Sequence, residues 1–500
     1  MTRHVELRAG AYHDSVTLMQ VSRDVAGEPG VTAALVAMAT DLNLDLLVGM
    51  GFDPPDDAGP ADLLVAVDAA DDDAVAGALA RLETDLTERA APSASGFGDA
   101  PAPRTISSAA AGSDATLAFV STPGAYAFAD AMDALESGLS VVVFSDNVSV
   151  AHEIRLKDEA ARRGLLVMGP DCGTAAVGGV GLGFANVVRP GPVGLVAASG
   201  TGAQQVMSLL DGAGVGVSHC LGVGGRDLSS QVRGRSTLAA LDLLAADDAT
   251  ELIAVISKPP APEVAEVVRA HADRLGKPVL FALLGPDQPD LTAAAKEIAT
   301  AAGATWSEPS WWPAPRERTG DYRFVRGLFV RGLFAGGTLC DEAMLIAAEA
   351  LGEVRSNIPL RPEWALPDDL RAPGHLMIDF GDDRLTRGRP HPMIDGALRS
   401  ERMLAEAADP DCGVLLLDVV LGHGAHPDPA AELAPAITAA RGRAAEDGRD
   451  VAVVVAMVGT TGDPQGVERQ ATSLRDAGAS VHLSNAAAAR TAVELVGAPR

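Results

Sequence analysis

The segment Val193-Gly194-Leu195-Val196-Ala197-Ala198-Ser199-Gly200-Thr201-Gly202 decides the fold. An apolar run of strand length passes straight into a glycine turn, and a helical stretch follows, which is the opening of a β/α unit. Further strands of this unit are read at Ser218 to Val223, Leu252 to Ser257 and Pro278 to Leu284. Strands alternating with helices in this way pack as parallel sheets with helices on both faces. The same grammar recurs where Val414 to Val420 leads into Gly422-His423-Gly424 ahead of another helix, a diverged structural repeat. The direct duplication of Val325-Arg326-Gly327-Leu328-Phe329 as Val330-Arg331-Gly332-Leu333-Phe334 is too short to signify a repeat architecture.

The rest of the chain divides on similar grounds. Residues 1–90 read as a small βα domain with strands at Val5 to Ala9, Val31 to Ala39 and Leu63 to Val67, and helices opening near Asp14, Asp41 and Asp71. Residues 91–113, rich in Ala, Pro, Ser and Gly, read as a linker. An α/β unit is expected over 114–190, a second over 191–318, a Pro-containing connecting segment over 319–372, and a last α/β unit over 373–500.

Composition narrows the function. The 500 residues carry 39 Lys and Arg against 67 Asp and Glu, a net charge of −28, which argues against nucleic-acid or anionic-membrane partners. Apolar residues at 47% and charged residues at 21% describe a folded chain, and no apolar run approaches the roughly 18 residues of a membrane span. The amino terminus lacks a signal-peptide core, so a cytoplasmic enzyme or enzyme subunit is expected. Four scattered cysteines with no CxxC pair suggest neither a disulfide framework nor a zinc cluster.

Several turns carry candidate chemistry. Ser199-Gly200-Thr201-Gly202 opens a helix at a strand's carboxyl end, where unpaired N–H groups and a partial positive charge favour a phosphate or carboxylate, although an ordinary capped turn reads the same. Gly422-His423-Gly424-Ala425-His426 presents His423 at another strand end. Pro427 keeps His423 and His426 off a shared helical face, so no metal site is assigned. Arg384 to Arg389, followed by His391, concentrates cations in an acidic chain and suits bidentate anion binding or, equally, salt bridges to the acidic run Asp379 to Asp383. Met168-Gly169-Pro170-Asp171-Cys172 and Gly222-Val223-Gly224-Gly225-Arg226-Asp227 end two further strands in turns.

Taken in order, these motifs resemble the NDP-forming acyl-CoA synthetases, whose best-known member is succinyl-CoA synthetase. The FdrA branch of that superfamily is the closer match. It is carried by Phe144-Ser145-Asp146-Asn147-Val148, Gly164 to Thr174, Gly224 to Ser229, Ser257-Lys258-Pro259-Pro260, Gly388 to Asp395 and Leu415 to Val420, and extends to Asp14-Ser15-Val16. The resemblance implies a Rossmann-like, CoA-binding-type domain over 114–190 and flavodoxin-like, ligase-type domains over 191–318 and 373–500. It also implies a phosphate site between two helix N-termini.

Departures from a working ligase shape the expected activity. The family carries phosphate on a histidine after the strand that ends here at Leu284, yet there is no histidine between His271 and His375. Lys258 stands where the family's paired glutamate is expected. No glycine-rich pantetheine loop is recognisable before residue 114 and no ATP-grasp domain is present, so CoA is doubtful as a cofactor and none is assigned. The FdrA resemblance instead implies oxamate carbamoyltransferase chemistry in allantoin nitrogen use, with oxalurate and phosphate giving oxamate and carbamoyl phosphate. Lys258, His423 and His391 are the expected catalytic residues. Ser199, Gly200, Thr201, Gly202, Arg226, Arg389, Gly422 and Gly424 are expected to hold phosphate and substrate. Partners are expected to be small anions, further enzyme subunits or further copies of the chain. Two other readings stand beside this one: an acyl-CoA synthetase working with a nucleotide-binding partner, and a non-catalytic scaffold or regulatory subunit.

Overall fold

The computed structural model describes residues 2–497 apart from 12, 14, 56–57, 90–102, 316–324, 327 and 387–388. Asp14, Arg387, Gly388 and most of the 91–113 linker therefore lie outside the described residues. The chain is mixed α/β, with a small amino-terminal βα domain followed by parallel-sheet units.

In the amino-terminal domain, strands Thr2–Arg8 and Val31–Met38 flank Leu63–Ala69, each antiparallel to it. The third strand is inserted between the first two. Thr40, one residue before the expected Asp41, caps helix Asp41–Gly49 through its hydroxyl. The next unit has three parallel strands, Leu117–Val120, Ser140–Val143 and Val167–Met168. It ends earlier than 190, because the hairpin Thr174–Val177 and Val180–Gly183 pairs outward with Val217–Gly222 and so completes a six-stranded sheet.

The largest departure from expectation concerns 319–372. Within it, Phe329–Phe334 is an inner strand of a seven-stranded sheet, parallel to both His375–Asp379 and Cys412–Val420, and helix Gly337–Leu351 follows at once. The second Val-Arg-Gly-Leu-Phe copy is thus a buried strand. Arg331, 1% exposed, is tolerated there because Glu406 at 2.8 Å and Asp409 at 2.8 Å meet its guanidinium.

Between the two large sheets lies one shared layer of four helices, Gly200–Gly212, Leu291–Ala301, Gly337–Leu351 and Asn485–Gly497. Met207, Ile298, Met344 and Ala489 from these helices join Leu195 of one sheet and Val454 of the other in a single apolar core. This layer sets Gly200–Gly212 and Gly337–Leu351 side by side, and so brings their N-termini together.

Candidate active site

Strand pairing assembles the site. Ala198 is in register with Ser257, so Ser199 and Lys258 leave adjacent strand ends. Phe334 is in register with Asp379, so the Ala335-Gly336-Gly337 turn emerges beside that carboxylate. In a parallel sheet this is the edge where ligands collect.

The two helix starts touch directly. Ser199 Oγ lies 2.6 Å from Thr338 Oγ1 and accepts from the Gly202 N–H at 2.9 Å. A methyl added at Gly336 would fall 2.7 Å from Thr201 Oγ1, and one added at Gly337 would fall 2.7 Å from Asp379 Oδ2 and 3.0 Å from Lys258 Nζ. Only glycine permits this approach. Asp418 fixes the second turn from behind: its oxygens accept from the Ala335 and Gly336 N–H groups at 2.7 and 2.9 Å, and Arg399 pairs with it at 2.7 Å.

Above the paired turns lies a cavity of about 650 Å³. Ser199, Gly200, Thr201 and Lys258 line it, as do Gly336, Gly337 and Thr338. Arg389 and His391 line it too, with Thr122 to Tyr126 at the end of strand Leu117–Val120 and Thr40 and Asn43 from the amino-terminal domain. A ligand here would bear first-turn N–H donors from two helices, a cluster that favours anions.

The charges beside those donors are compensated. Burial alone pulls the Lys258 ammonium down, but Asp341, Asp379 and Asp171 outweigh it and hold the group above its usual range. Burial pushes Asp379 up to about 7 and Asp341 up to about 6, in each case against the attraction of Lys258. Asp171, open to the cavity, is also raised to about 7 by loss of bulk solvent, with Asp383 adding to the shift. Near neutrality a proton is therefore shared among carboxyls around one lysine.

His391 has a defined tautomer. Its Nδ1 accepts from the Met393 N–H at 3.2 Å, which places the proton of the neutral ring on Nε2. A methyl on Gly381 would lie 3.0 Å from that Nε2 and 3.1 Å from Asp379 Oδ1, so ring and carboxyl flank the same glycine. Burial lowers the His391 ring to about 4, with Arg399 adding to the effect. His391 is thus a hydrogen-bond donor rather than a stored acid at neutral pH.

Other expected site residues lie elsewhere. His423 is exposed and does not line the cavity. Its backbone bridges to Ala185 through N–H···O contacts of 2.8 and 3.2 Å. Gly422 and Gly424, at φ +112° and +79°, take positive torsions, and a methyl on Gly422 would meet the Ala185 carbonyl oxygen at 2.5 Å. This turn docks one unit on another, and the second helix N-terminus of the site is supplied instead by Gly336 to Thr338. Arg226 is engaged with Glu153 at 3.0 Å and the Val148 carbonyl at 2.8 Å, leaving Gly225 at the cavity wall. Gly202 closes the Ser199 cap rather than facing the cavity. Of the arginine loop, Arg384 pairs with Asp382 at 3.3 Å whereas Arg389 reaches the site. The sequence reading missed Gly336, Thr338 and Asp379, although Phe329 to Thr338 repeats the strand and glycine-turn grammar of 193–202.

Two sequence families match the chain: "AllF, heavy metal-associated domain" over residues 1–103 and "CoA-ligase" over 333–495. The second match begins inside the segment read as a connector, in keeping with the strand found there. The first names heavy metals. No cysteine precedes Cys172, and among the described residues no group of three or more His, Cys, Asp or Glu is placed to hold an ion. The second match makes the chain similar to CoA-ligases over residues 333–495. The malate–CoA ligase subunit alpha of Methylorubrum extorquens is 30% identical over 36% of this chain and 62% of that subunit. A dinucleotide-forming acetyl-coenzyme A synthetase from Ca. Korarchaeum cryptofilum, solved with phosphate and ADP, is 18% identical with a TM-score of 0.31, over 82% of this chain and 90% of that one. The chain belongs to the family of the uncharacterized Escherichia coli protein YahF, to which it is 38% identical over 96% of its own length and 95% of that protein. No helix among the described residues is long and apolar enough to cross a membrane.

Proposed function

We propose that this chain is a subunit of a transferase that handles carbamoyl phosphate, cleaving oxalurate with phosphate to oxamate and carbamoyl phosphate. The observation that carries this reading is the contact of two helix N-termini across Ser199 and Thr338, with Lys258 and Asp379 at their margin. That arrangement suits a phosphate dianion beside a group able to deliver a proton.

In this scheme the first-turn N–H groups at Gly200, Thr201, Gly337 and Thr338 orient phosphate for attack on the terminal ureido carbonyl. The new C–O bond forms as the C–N bond to oxamate breaks, and the departing nitrogen takes a proton. Asp379, raised to about 7, supplies that proton. It replaces His423, which stands outside the cavity, and His391, whose neutral ring donates a hydrogen bond from Nε2. Arg389 meets the carboxylate end of the substrate. Lys258 keeps the surrounding carboxyls from repelling phosphate.

The experiment is a coupled assay of the purified chain, alone and with candidate partner subunits, for carbamoyl phosphate formed from oxalurate and phosphate. Phosphate-dependent product that falls tenfold or more in Ser199→Ala is expected; no product in any combination overturns the proposal.

A second reading, an NDP-forming acyl-CoA synthetase acting with a nucleotide-binding partner, is favoured by the CoA-ligase match over 333–495. Its carrier would have to be His391, the histidine that lines the cavity among the described residues. Incubation with labelled ATP and partner subunits, followed by a search for stable phosphohistidine, separates the two.

A further inference from the structure

The amino-terminal domain forms one wall of the cavity, and an arginine joins it to the turn that carries His391. Met19, Thr40 and Asn43 of that domain line the cavity. Arg23 lies one turn beyond Met19 on helix Ser15–Ala26. Its Nη1 donates to the Ile394 carbonyl at 2.9 Å, 371 residues along the chain. Its Nε and Nη2 both meet Asp24 Oδ1, at 3.2 and 2.9 Å. The carboxylate thus takes one edge of the planar guanidinium and fixes the plane, leaving Nη1 aimed at the carbonyl. Glu432 and His426 also feel the charge of Arg23, so the group belongs to a junction of domains.

The turn that Arg23 meets is tied together internally. Ile394 and Asp395 give their N–H groups to the His391 carbonyl at 2.7 and 3.1 Å, and the Met393 N–H goes to His391 Nδ1. Met393 and Ile394 are buried in the shared apolar core, against which Met19 packs. Burial sets how deep the turn lies, but apolar contact is non-directional. Orientation comes from two hydrogen bonds that distant residues make to it, among those described. One is from Arg23 to the Ile394 carbonyl, and the other from the His426 N–H to the Met393 carbonyl at 2.8 Å. The His391 ring, tilted on Phe184 at 5.4 Å between centroids, follows the turn because Met393 holds its Nδ1.

We infer that Arg23 is a positioning residue of the active site, holding the 391–394 turn so that the His391 Nε2–H stands beside Gly381 and Asp379. The amino-terminal domain is then a working wall of the site. The geometric part of this inference stands on the contacts alone, and its effect on rate rests on the function proposed above.

Two readouts keep those parts distinct. The first is the imidazole nitrogen spectrum of the full chain carrying isotope-labelled histidine, with the His391 signals identified by their loss in His391→Gln. Wild-type protein near neutral pH is expected to show a single neutral Nε2–H ring for His391. Arg23→Met is expected to shift both ring signals or mix the tautomers. Arg23→Lys keeps the charge but cannot bridge Asp24 and the Ile394 carbonyl with one planar group, so a smaller shift of the same signals is expected if the Met variant folds poorly. A mixed or protonated wild-type ring, or wild-type signals retained in the folded variants, overturns the inference. The second readout is a double-mutant comparison. Arg23→Met is expected to lower kcat/KM for oxalurate about fivefold in the wild-type background and less than about twofold in His391→Gln, because a residue acting through His391 loses its effect once the ring is gone. Equal losses in both backgrounds show a merely structural role and overturn the inference. If the wild-type chain forms no carbamoyl phosphate, the proposed function falls and the ring spectrum still decides the inference.

Discussion

Three turns in this chain are written alike, each an apolar strand running into glycines and then a helix: 199–202, 336–338 and 422–424. The first two meet across Ser199 and Thr338 at the floor of the cavity, whereas the third packs its glycines against the Ala185 backbone and leaves His423 in solvent. Glycine after a strand signals only that something approaches closely. The 336–338 and 422–424 turns leave adjacent parallel strands of one sheet, so what makes one a ligand turn and the other a docking turn is what packs over the strand end.

The largest effect that distinguishes the turns is expected from behind the second one. Asp418→Ala removes the acceptor for two backbone N–H groups and leaves Arg399 buried without its carboxylate, a loss on the order of 3–5 kcal/mol in denaturant unfolding. A change below about 1 kcal/mol would show that the 335–337 turn does not depend on this anchor. Glycine substitutions sharpen the contrast. Gly336→Ala and Gly422→Ala both force close contacts and should each cost about 1–3 kcal/mol, but only Gly336→Ala should lose phosphate affinity. Equal loss of phosphate affinity in both would erase the difference between docking turn and ligand turn.

Kinetics should divide along the same line. Lys258→Met is expected to lower phosphorolysis by about tenfold or more, and His423→Ala by less than about twofold, measured as kcat/KM for oxalurate at saturating phosphate. A His423→Ala defect as deep as that of Lys258→Met would return the third turn to the site.

The smallest effect is a pH dependence. Asp379 is raised from its ordinary range to about 7, so the protonated acid needed for departure of the oxamate nitrogen is lost as pH rises through 7, and activity should fall severalfold from pH 6 to pH 8. The linkage has a definite sign. A carboxyl that binds its proton more tightly in the folded state lowers stability progressively as pH climbs from its unfolded pKa to its folded one. Asp379→Asn should therefore flatten the stability profile between about pH 4 and 7 while lacking the activity inflection. A wild-type rate that is flat across pH 7 removes Asp379 as the proton donor.

Much of the fold was legible because the information is local. Runs such as Val193 to Ala198 and Leu252 to Ile256 are apolar, short and bounded by glycine or proline, and each became a buried parallel strand. Ser199 was found because a glycine turn at a strand end announces itself, and Lys258 because the family resemblance places a paired glutamate at that position. The inner strand Phe329–Phe334 was not, since Arg331 sits in its middle and is matched by Glu406 and Asp409 from far along the chain. With that strand unread, the Gly336 turn had no frame, and the similar turn at Gly422 took its place. Asp379 was obscured for a related reason. It begins an acidic run that reads as a salt-bridge partner for the arginine loop, and only pairing with Phe334 buries it beside Lys258.

The central claim is that two helices from different sheets form one anion site. Hydrogen exchange of the full chain, with and without millimolar inorganic phosphate, tests it at peptide resolution. Peptides covering 199–203 and 336–340 should slow together, over the same range of phosphate concentration, while 422–426 is unchanged. Protection of only one of the two turns, or protection at 422–426 in their place, would contradict the account.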